Sequence, residues 1–134
     1  MKEIHKIAAV VIQDNKFLMV RKVGKDIWTS LGGKPEENET EEQALIREVK
    51  EEVNCELEII RKIGDFKAQA VFDDAIVKLS VFLVKLRGKP KIIDPELEEF
   101  TFIPKNYKEL NIKLPPSIEE QILPLLIKER LLRW

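Results

Sequence analysis

The sequence predicts one α/β domain over residues 1–134, a mixed β-sheet flanked by helices. Three observations predict it. Apolar, β-branched segments separated by turn residues recur along the chain, the first at residues 4–12. A long amphipathic segment with helical spacing follows Thr40. A second helix signal stands near the C-terminus at Ser117.

Residues 4–12 are apolar and β-branched, Gln13-Asp14-Asn15 supplies turn residues, and Phe17-Leu18-Met19-Val20 resumes the apolar pattern, which reads as a hairpin. Ile27-Trp28-Thr29 reads as a short strand, and Leu31-Gly32-Gly33-Lys34-Pro35 as a loop punctuated by two glycines and a proline. Thr40 with Gln43 three residues on has the form of a capping box, and Glu41 and Glu42 suit a positive helix N-terminus. On the helical wheel Leu45, Ile46, Val49 and Val53 share one face, and Glu48, Glu51 and Glu52 cluster on an adjacent one. Residues 57–63, 76–86 and 100–103 read as strands, with a turn at Arg87-Gly88-Lys89-Pro90. Ser117 with Glu120 is a second capping-box form, opening a terminal helix with apolar Ile118, Ile122, Leu125 and Leu126. Pro124 within it should kink the helix or delay its start.

Of 134 residues, 44% are hydrophobic and 35% charged, the balance of a folded chain. The formal net charge of −1 gives no field to attract polymeric nucleic acid or a membrane surface. A single cysteine, Cys55, excludes an internal disulfide framework and any multi-cysteine zinc site. No apolar run approaches the roughly 20 residues that span a bilayer, and no secretory leader pattern opens the sequence, so a cytoplasmic location is expected.

The chemistry lies in the acidic helix. Three carboxylates within about one turn repel one another, at a few tenths of a kcal/mol for each i,i+4 pair. The cations Arg47 and Lys50 fall on the remaining surface and not among them. A hard divalent cation such as Mg²⁺ or Mn²⁺ resolves this repulsion, because it takes oxygen ligands and bridges carboxylates to substrate phosphates. The preceding glycines, Gly32 and Gly33, allow backbone to approach a metal or a phosphate closely. Glu39, eight residues before Arg47, is placed to lock the loop onto the helix through a charge-assisted pair.

Gly33, Glu39, Arg47-Glu48-Val49 and Glu51-Glu52 together resemble the box of the Nudix hydrolases, G-x5-E-x7-R-E-U-x-E-E-x-G-U, at every position through Glu52. Asn54 and Cys55 replace the box's second glycine and final aliphatic residue, and Leu31 stands where many members have proline. Asn is the residue next most tolerant of the left-handed backbone a helix-ending glycine supplies. The resemblance implies a Nudix-type α/β/α sandwich that cleaves a phosphoanhydride bond in nucleoside diphosphate-linked substrates. It implies Glu48, Glu51, Glu52 and the Gly32 carbonyl as metal ligands, with Glu96 as an additional acidic ligand or base among Glu96, Glu98 and Glu99. It further implies Arg47 as the residue orienting the glutamates, Glu39 and Gly33 as loop braces, and Glu48 or Glu51 as general base.

Weaker substrate-binding candidates are Trp28, Lys34 and Phe72, with Phe66, Asp73 and Asp74 in a region that could face a nucleoside. Downstream signatures of the ADP-ribose and diadenosine-polyphosphate subclasses are not visible near Val71 and Phe72, so a nucleoside triphosphate, normal or damaged, is the favoured substrate. The alternatives are an ADP-ribose or dinucleotide polyphosphate hydrolase and a nucleotide-sensing module without catalysis. The segments 81–84 and 131–134 are candidates for a homodimer interface, with core packing an equal explanation of the first. Glu52→Gln is expected to abolish magnesium-dependent hydrolysis and to leave thermal unfolding nearly unchanged.

Overall fold

The chain begins as a hairpin because Asp14 and Asn15 both accept positive φ, 50° and 61°, the backbone that a two-residue turn between twisted strands needs. It joins β1 (Lys2–Gln13) to β2 (Lys16–Lys22), with Ile12 opposite Phe17. The computed structural model describes residues 2–70 and 74–134. β1 ties the two parts of the sheet together. Its first ten residues run parallel to β6 (Ala75–Arg87), whose other side pairs antiparallel with β5 (Glu56–Gln69). Beyond the hairpin, β2 carries β3 (Trp28–Thr29) and β7 (Leu97–Ile103).

The unbroken apolar text of β1 has a simple cause: both of its faces are covered. Ile7, Ala9 and Val11 join Leu45, Val49 and Val53 of helix α1 (Glu41–Val53) in one core. Ala8 and Val10 join Ile118, Ile122 and Leu126 of the C-terminal helical segment in another. The result is a mixed sheet between two helical layers, the sandwich expected.

Several boundaries move. The glycine-rich segment expected as a loop forms β4 (Leu31–Gly33), antiparallel to β1 with Ala8 opposite Gly32. β5 extends six residues past its expected end, continuing its ladder with β6 as far as Gln69. The second capping box does not form. Ser117–Ile122 is a π-type turn without side-chain capping, and α2 proper spans Leu123–Lys128 with Pro124 in its first turn. Pro124 has no N–H to give the carbonyl four residues back, so regular helix starts around it. Ile46, expected on the buried face of α1, is 42% exposed, whereas Glu52 is only 7% exposed.

Within the fold, most of the segment 81–84 and part of the segment 131–134 are packed inside. Val81, Phe82 and Val84 are buried in the two cores, as is Leu132, and the Trp134 ring N–H donates to the Asn15 carbonyl at 2.8 Å. Among the described residues no helix is long and apolar enough to cross a membrane.

Candidate active site

α1 is fixed at both ends by local chemistry. At its start, Thr40 accepts from the Gln43 backbone N–H at 3.1 Å, and the Gln43 side chain accepts from the Thr40 N–H at 3.0 Å, completing the capping box. At its end, Asn54 adopts the left-handed conformation, φ 56° and ψ 37°, and its N–H caps the Lys50 carbonyl. The Asn in place of the box's glycine therefore does the glycine's work. The following segment is hung on the same helix end: Lys91 N–H donates to the Val53 carbonyl and Ile93 N–H to the Glu52 carbonyl.

Arg47 organises the carboxylates. Its guanidinium grips Glu39 with two parallel bonds, 2.7 Å and 3.0 Å, and donates to the Lys34 carbonyl at 3.1 Å. The same side chain reaches Glu48 at 3.1 Å and Glu51 at 3.3 Å. Glu39 also accepts from the Glu36 N–H at 2.7 Å, so loop and helix are locked together. The Arg47 bond and the Glu36 N–H hold the Glu39 carboxyl below the usual carboxylate range.

The two glycines differ in what they require. Gly32 sits at φ +143°, and a Cβ there would strike the Ile7 carbonyl of β1. Its N–H donates to Glu52 Oε1 at 2.9 Å. A Cβ on Gly33 would run into the Glu48 carboxylate, so this glycine exists for close approach. β4 thus brings Glu48 and Glu52 against main chain, at one edge of the sheet.

Burial pushes the Glu52 carboxyl up to about 8; the Gly32 N–H opposes this, Glu48 and Asp94 reinforce it, and Lys22 offsets a little. Burial also raises Glu48, against the pull of Arg47. Among the described residues no three His, Cys, Asp or Glu side chains are gathered into a finished metal cage. The donor set nonetheless fits a hard cation: carboxylate oxygens at a half-buried spot, with Arg47 bound to one side of Glu48 and Glu51 and the Gly32 N–H to Glu52. A cation that keeps waters and takes phosphate oxygens needs only a partial protein shell.

A cleft of about 160 Å³ opens from this spot. Glu52, Gly32 and Gly33 line it, Phe66, Leu79 and Ile118 supply apolar wall, and Lys6 and Lys22 also line it. Trp28 is elsewhere: it is 8% exposed, packs in the core beneath the C-terminal helix, and has the Arg21 guanidinium 5.7 Å from its ring centre. Its ring is structural, not a stacking platform. The Lys34 side chain is exposed, and its contribution is the carbonyl that Arg47 binds. Phe72, Val71 and Asp73 lie outside the described residues. Phe66 does reach the cleft.

Glu96 is exposed just before β7, where its carbonyl accepts from the Val23 N–H and its own N–H donates to Asp94 Oδ1 at 2.8 Å. The acid of this segment whose charge acts on both Glu48 and Glu52 is Asp94. Spacing could not single it out, because Asp94 is delivered by the hydrogen bonds of the 91–93 backbone to the end of α1.

Over residues 3–124 the chain matches the NUDIX domain family. It belongs to the NUDIX family. The match takes in every element from β1 to the start of α2. Among curated relatives, the chain is 37% identical over 60 residues to the CTP pyrophosphohydrolase of Escherichia coli (strain K12), covering 42% of this chain and 44% of that one. It is 38% identical over 89 residues to the 8-oxo-dGTP diphosphatase of Proteus vulgaris, covering 62% and 77%. The chain thus spans less than half of the first relative's length and about three quarters of the second's. Among solved structures, a UDP-X diphosphatase superposes with a TM-score of 0.80 at 20% identity, covering 97% of this NUDIX chain and 64% of that one. At that identity the likeness is one of fold.

Proposed function

We propose that this NUDIX chain is a divalent-metal-dependent pyrophosphohydrolase that cuts a phosphoanhydride bond of a nucleoside triphosphate. The observation that carries the reading is the position of Glu52, a buried carboxyl bonded to Gly32 N–H that lines an apolar-walled cleft. Ionising a carboxyl this buried is costly without an opposite charge beside it, and a polyphosphate with its cation supplies one.

In this reading Glu48, Glu51 and Glu52 hold Mg²⁺ or Mn²⁺, with the Gly32 carbonyl and Asp94 completing the surroundings. The bound cation supplies charge neutralisation on the phosphates and a lowered pKa for an attacking water. Arg47 and Glu39 keep the loop and helix in register, so that the carboxylates do not need to reorganise when substrate arrives. Glu48 or Glu51 takes the proton of the attacking water. Glu51, on the exposed side of Arg47, is the freer to move, whereas Glu48 is held against Gly33. Apolar Phe66, Leu79 and Ile118 exclude water from the nucleoside end, and Lys6 and Lys22 bring positive charge to the phosphates. The names of both curated relatives specify nucleoside triphosphates, which supports this substrate class over nucleoside diphosphate sugars and dinucleotides.

The test is a hydrolysis panel with Mg²⁺ and product identification, containing the four ribonucleoside and deoxyribonucleoside triphosphates, 8-oxo-dGTP, ADP-ribose and a diadenosine polyphosphate. Nucleoside monophosphate plus pyrophosphate from at least one triphosphate is the expected result. Turnover confined to ADP-ribose or the dinucleotide moves the chain to that subclass. No product from any member, with nucleotide still bound, identifies a sensing module.

A further inference from the structure

One cluster lies outside this site. Five side chains from four elements meet on the α1 face of the sheet: His5 of β1, Glu41 of α1, Lys62 and Asp65 of β5, and Ser80 of β6. His5 Nε2 is 2.8 Å from Glu41 Oε2 and 3.1 Å from Ser80 Oγ. The Ser80 hydroxyl donates to Asp65 Oδ1 at 2.8 Å. Lys62 Nζ is 3.0 Å from Glu41 Oε1 and 3.0 Å from Asp65 Oδ1. Ser80 is fully buried. Its one hydrogen is committed to Asp65, so toward His5 it is an acceptor, and the proton lies on His5 Nε2, shared between Ser80 and Glu41.

Successive strand residues point to opposite faces. Lys6 follows His5, Phe66 follows Asp65 and Leu79 precedes Ser80, and all three of these neighbours line the cleft. Asp65 is the register partner of Ser80, Phe66 that of Leu79, and Lys6 is also paired with Leu79. The polar cluster and the cleft wall are therefore two sides of the same three-strand patch. Glu41 in turn is on the helix that carries Glu48, Glu51 and Glu52, about two turns earlier. Glu41 and Lys62 themselves, with Thr40, Ile59 and Phe82, line a hollow between the start of α1 and β5. Apolar packing seats the helix from Ala44 and Leu45 onward, and directional hydrogen bonds from Glu41 to His5 and Lys62 hold its first turn.

We propose that Glu41, held by His5 and Lys62, is a positioning residue that sets the metal-binding carboxylates of α1 at a fixed distance from the strands walling the nucleotide cleft. This rests on the proposed hydrolase reading. Because the link touches neither substrate nor cation, its loss changes how well carboxylates and cleft are aligned and leaves each of them present.

The experiment compares wild type with Glu41→Ala, His5→Leu and His5→Gln on the best triphosphate of the panel at about 25 °C, recording kcat, KM, the Mg²⁺ half-saturation and the unfolding midpoint. Glu41→Ala and His5→Leu are expected to lower kcat/KM about tenfold, the scale of a sub-ångström misalignment, and to raise the Mg²⁺ half-saturation, while both remain folded at the assay temperature. His5→Gln keeps an N–H donor near the position of Nε2 and is expected to stay within about threefold of wild type. Retention of wild-type kcat/KM and Mg²⁺ half-saturation by Glu41→Ala overturns the proposal, and so does His5→Gln falling as far as His5→Leu. If His5→Leu fails to fold, Glu41→Ala and His5→Gln decide alone. A wild type that turns over nothing defeats the hydrolase reading and this inference with it, an outcome distinct from wild-type turnover that the variants share.

Discussion

Replacing Glu52 by Gln separates the cost of the buried charge from its use. In the folded, metal-free chain Glu52 titrates at about 8, against an ordinary value of 4.5. The folded state therefore binds this proton more tightly than the unfolded state does. Its stabilising effect is complete below about pH 4.5 and is lost as pH rises toward 8. At pH 7 the difference from 4.5 corresponds to roughly 3 kcal/mol, taking about 1.4 kcal/mol per pH unit, as an upper value for a side chain this buried. The amide that replaces the carboxylate in the variant never ionises and can still accept from the Gly32 N–H. It also turns its own N–H groups toward a region where Glu48 and Asp94 are negative. Burial thus changes the expectation that unfolding would be unaffected. With EDTA present, the variant should unfold at a temperature higher by up to about 10 °C at pH 7, the two proteins converging near pH 4.5. Added Mg²⁺ should raise the midpoint of wild type at pH 7 far more than that of the variant, and should support hydrolysis only in wild type. The measurement is a set of thermal melts from about pH 4 to 8.5, with and without Mg²⁺, beside a pyrophosphate-release assay. Equal midpoints at pH 7 without metal would refute the burial argument, and Mg²⁺-dependent turnover by the variant would refute the ligand assignment.

Two further substitutions test the rest of the site. Arg47→Lys keeps the charge but loses the fork that binds Glu39 at 2.7 Å and 3.0 Å while reaching Glu48 and Lys34. A loss of about 10²-fold in kcat/KM with about 1–3 kcal/mol of stability is expected in parallel kinetic and denaturant measurements, and turnover within about threefold of wild type would contradict it. Asp94→Asn removes the charge that acts on both Glu48 and Glu52, and should raise the Mg²⁺ concentration for half-maximal rate several-fold, with a smaller effect for Glu96→Gln. The reverse order in a Mg²⁺ titration would return the role to Glu96.

What the sequence discloses and what it hides follow the range of the interactions. The Thr40–Gln43 cap, the Glu39–Arg47 pair and the left-handed Asn54 all join residues within eight positions of each other, and each was legible from spacing. The wheel of α1 gave a stripe, but a stripe does not say which neighbours meet it. β4 closes over the Glu52 side and leaves Ile46 facing out, so a charged residue took the place of an apolar one inside. β4 itself was hidden because its two glycines read as loop and its partner in β1 is more than twenty residues away. Trp28 stood as a weak substrate-binding candidate because the contacts that place its ring in the core, with Ile118, Ile122 and Leu126 and through its backbone N–H to the Lys113 carbonyl, come from about 85–100 residues away.

These contacts between distant segments also explain why the box works as a unit. Gly32 must lack a side chain because β1 passes there, and Gly33 because Glu48 does. Arg47 holds Glu48 and Glu51, and the missing side chain at Gly33, which itself lines the cleft, lets the Glu48 carboxylate lie against that strand. Asp94 then arrives through main-chain bonds to the last turn of the same helix, bringing a further negative charge to bear on Glu48 and Glu52. A chain folding for stability alone would put a cation or an apolar side chain at position 52. Its retention as a carboxylate, raised to about 8 by neighbours the fold itself assembles, is the physical sign that stability here is held below its attainable value in favour of a ligand.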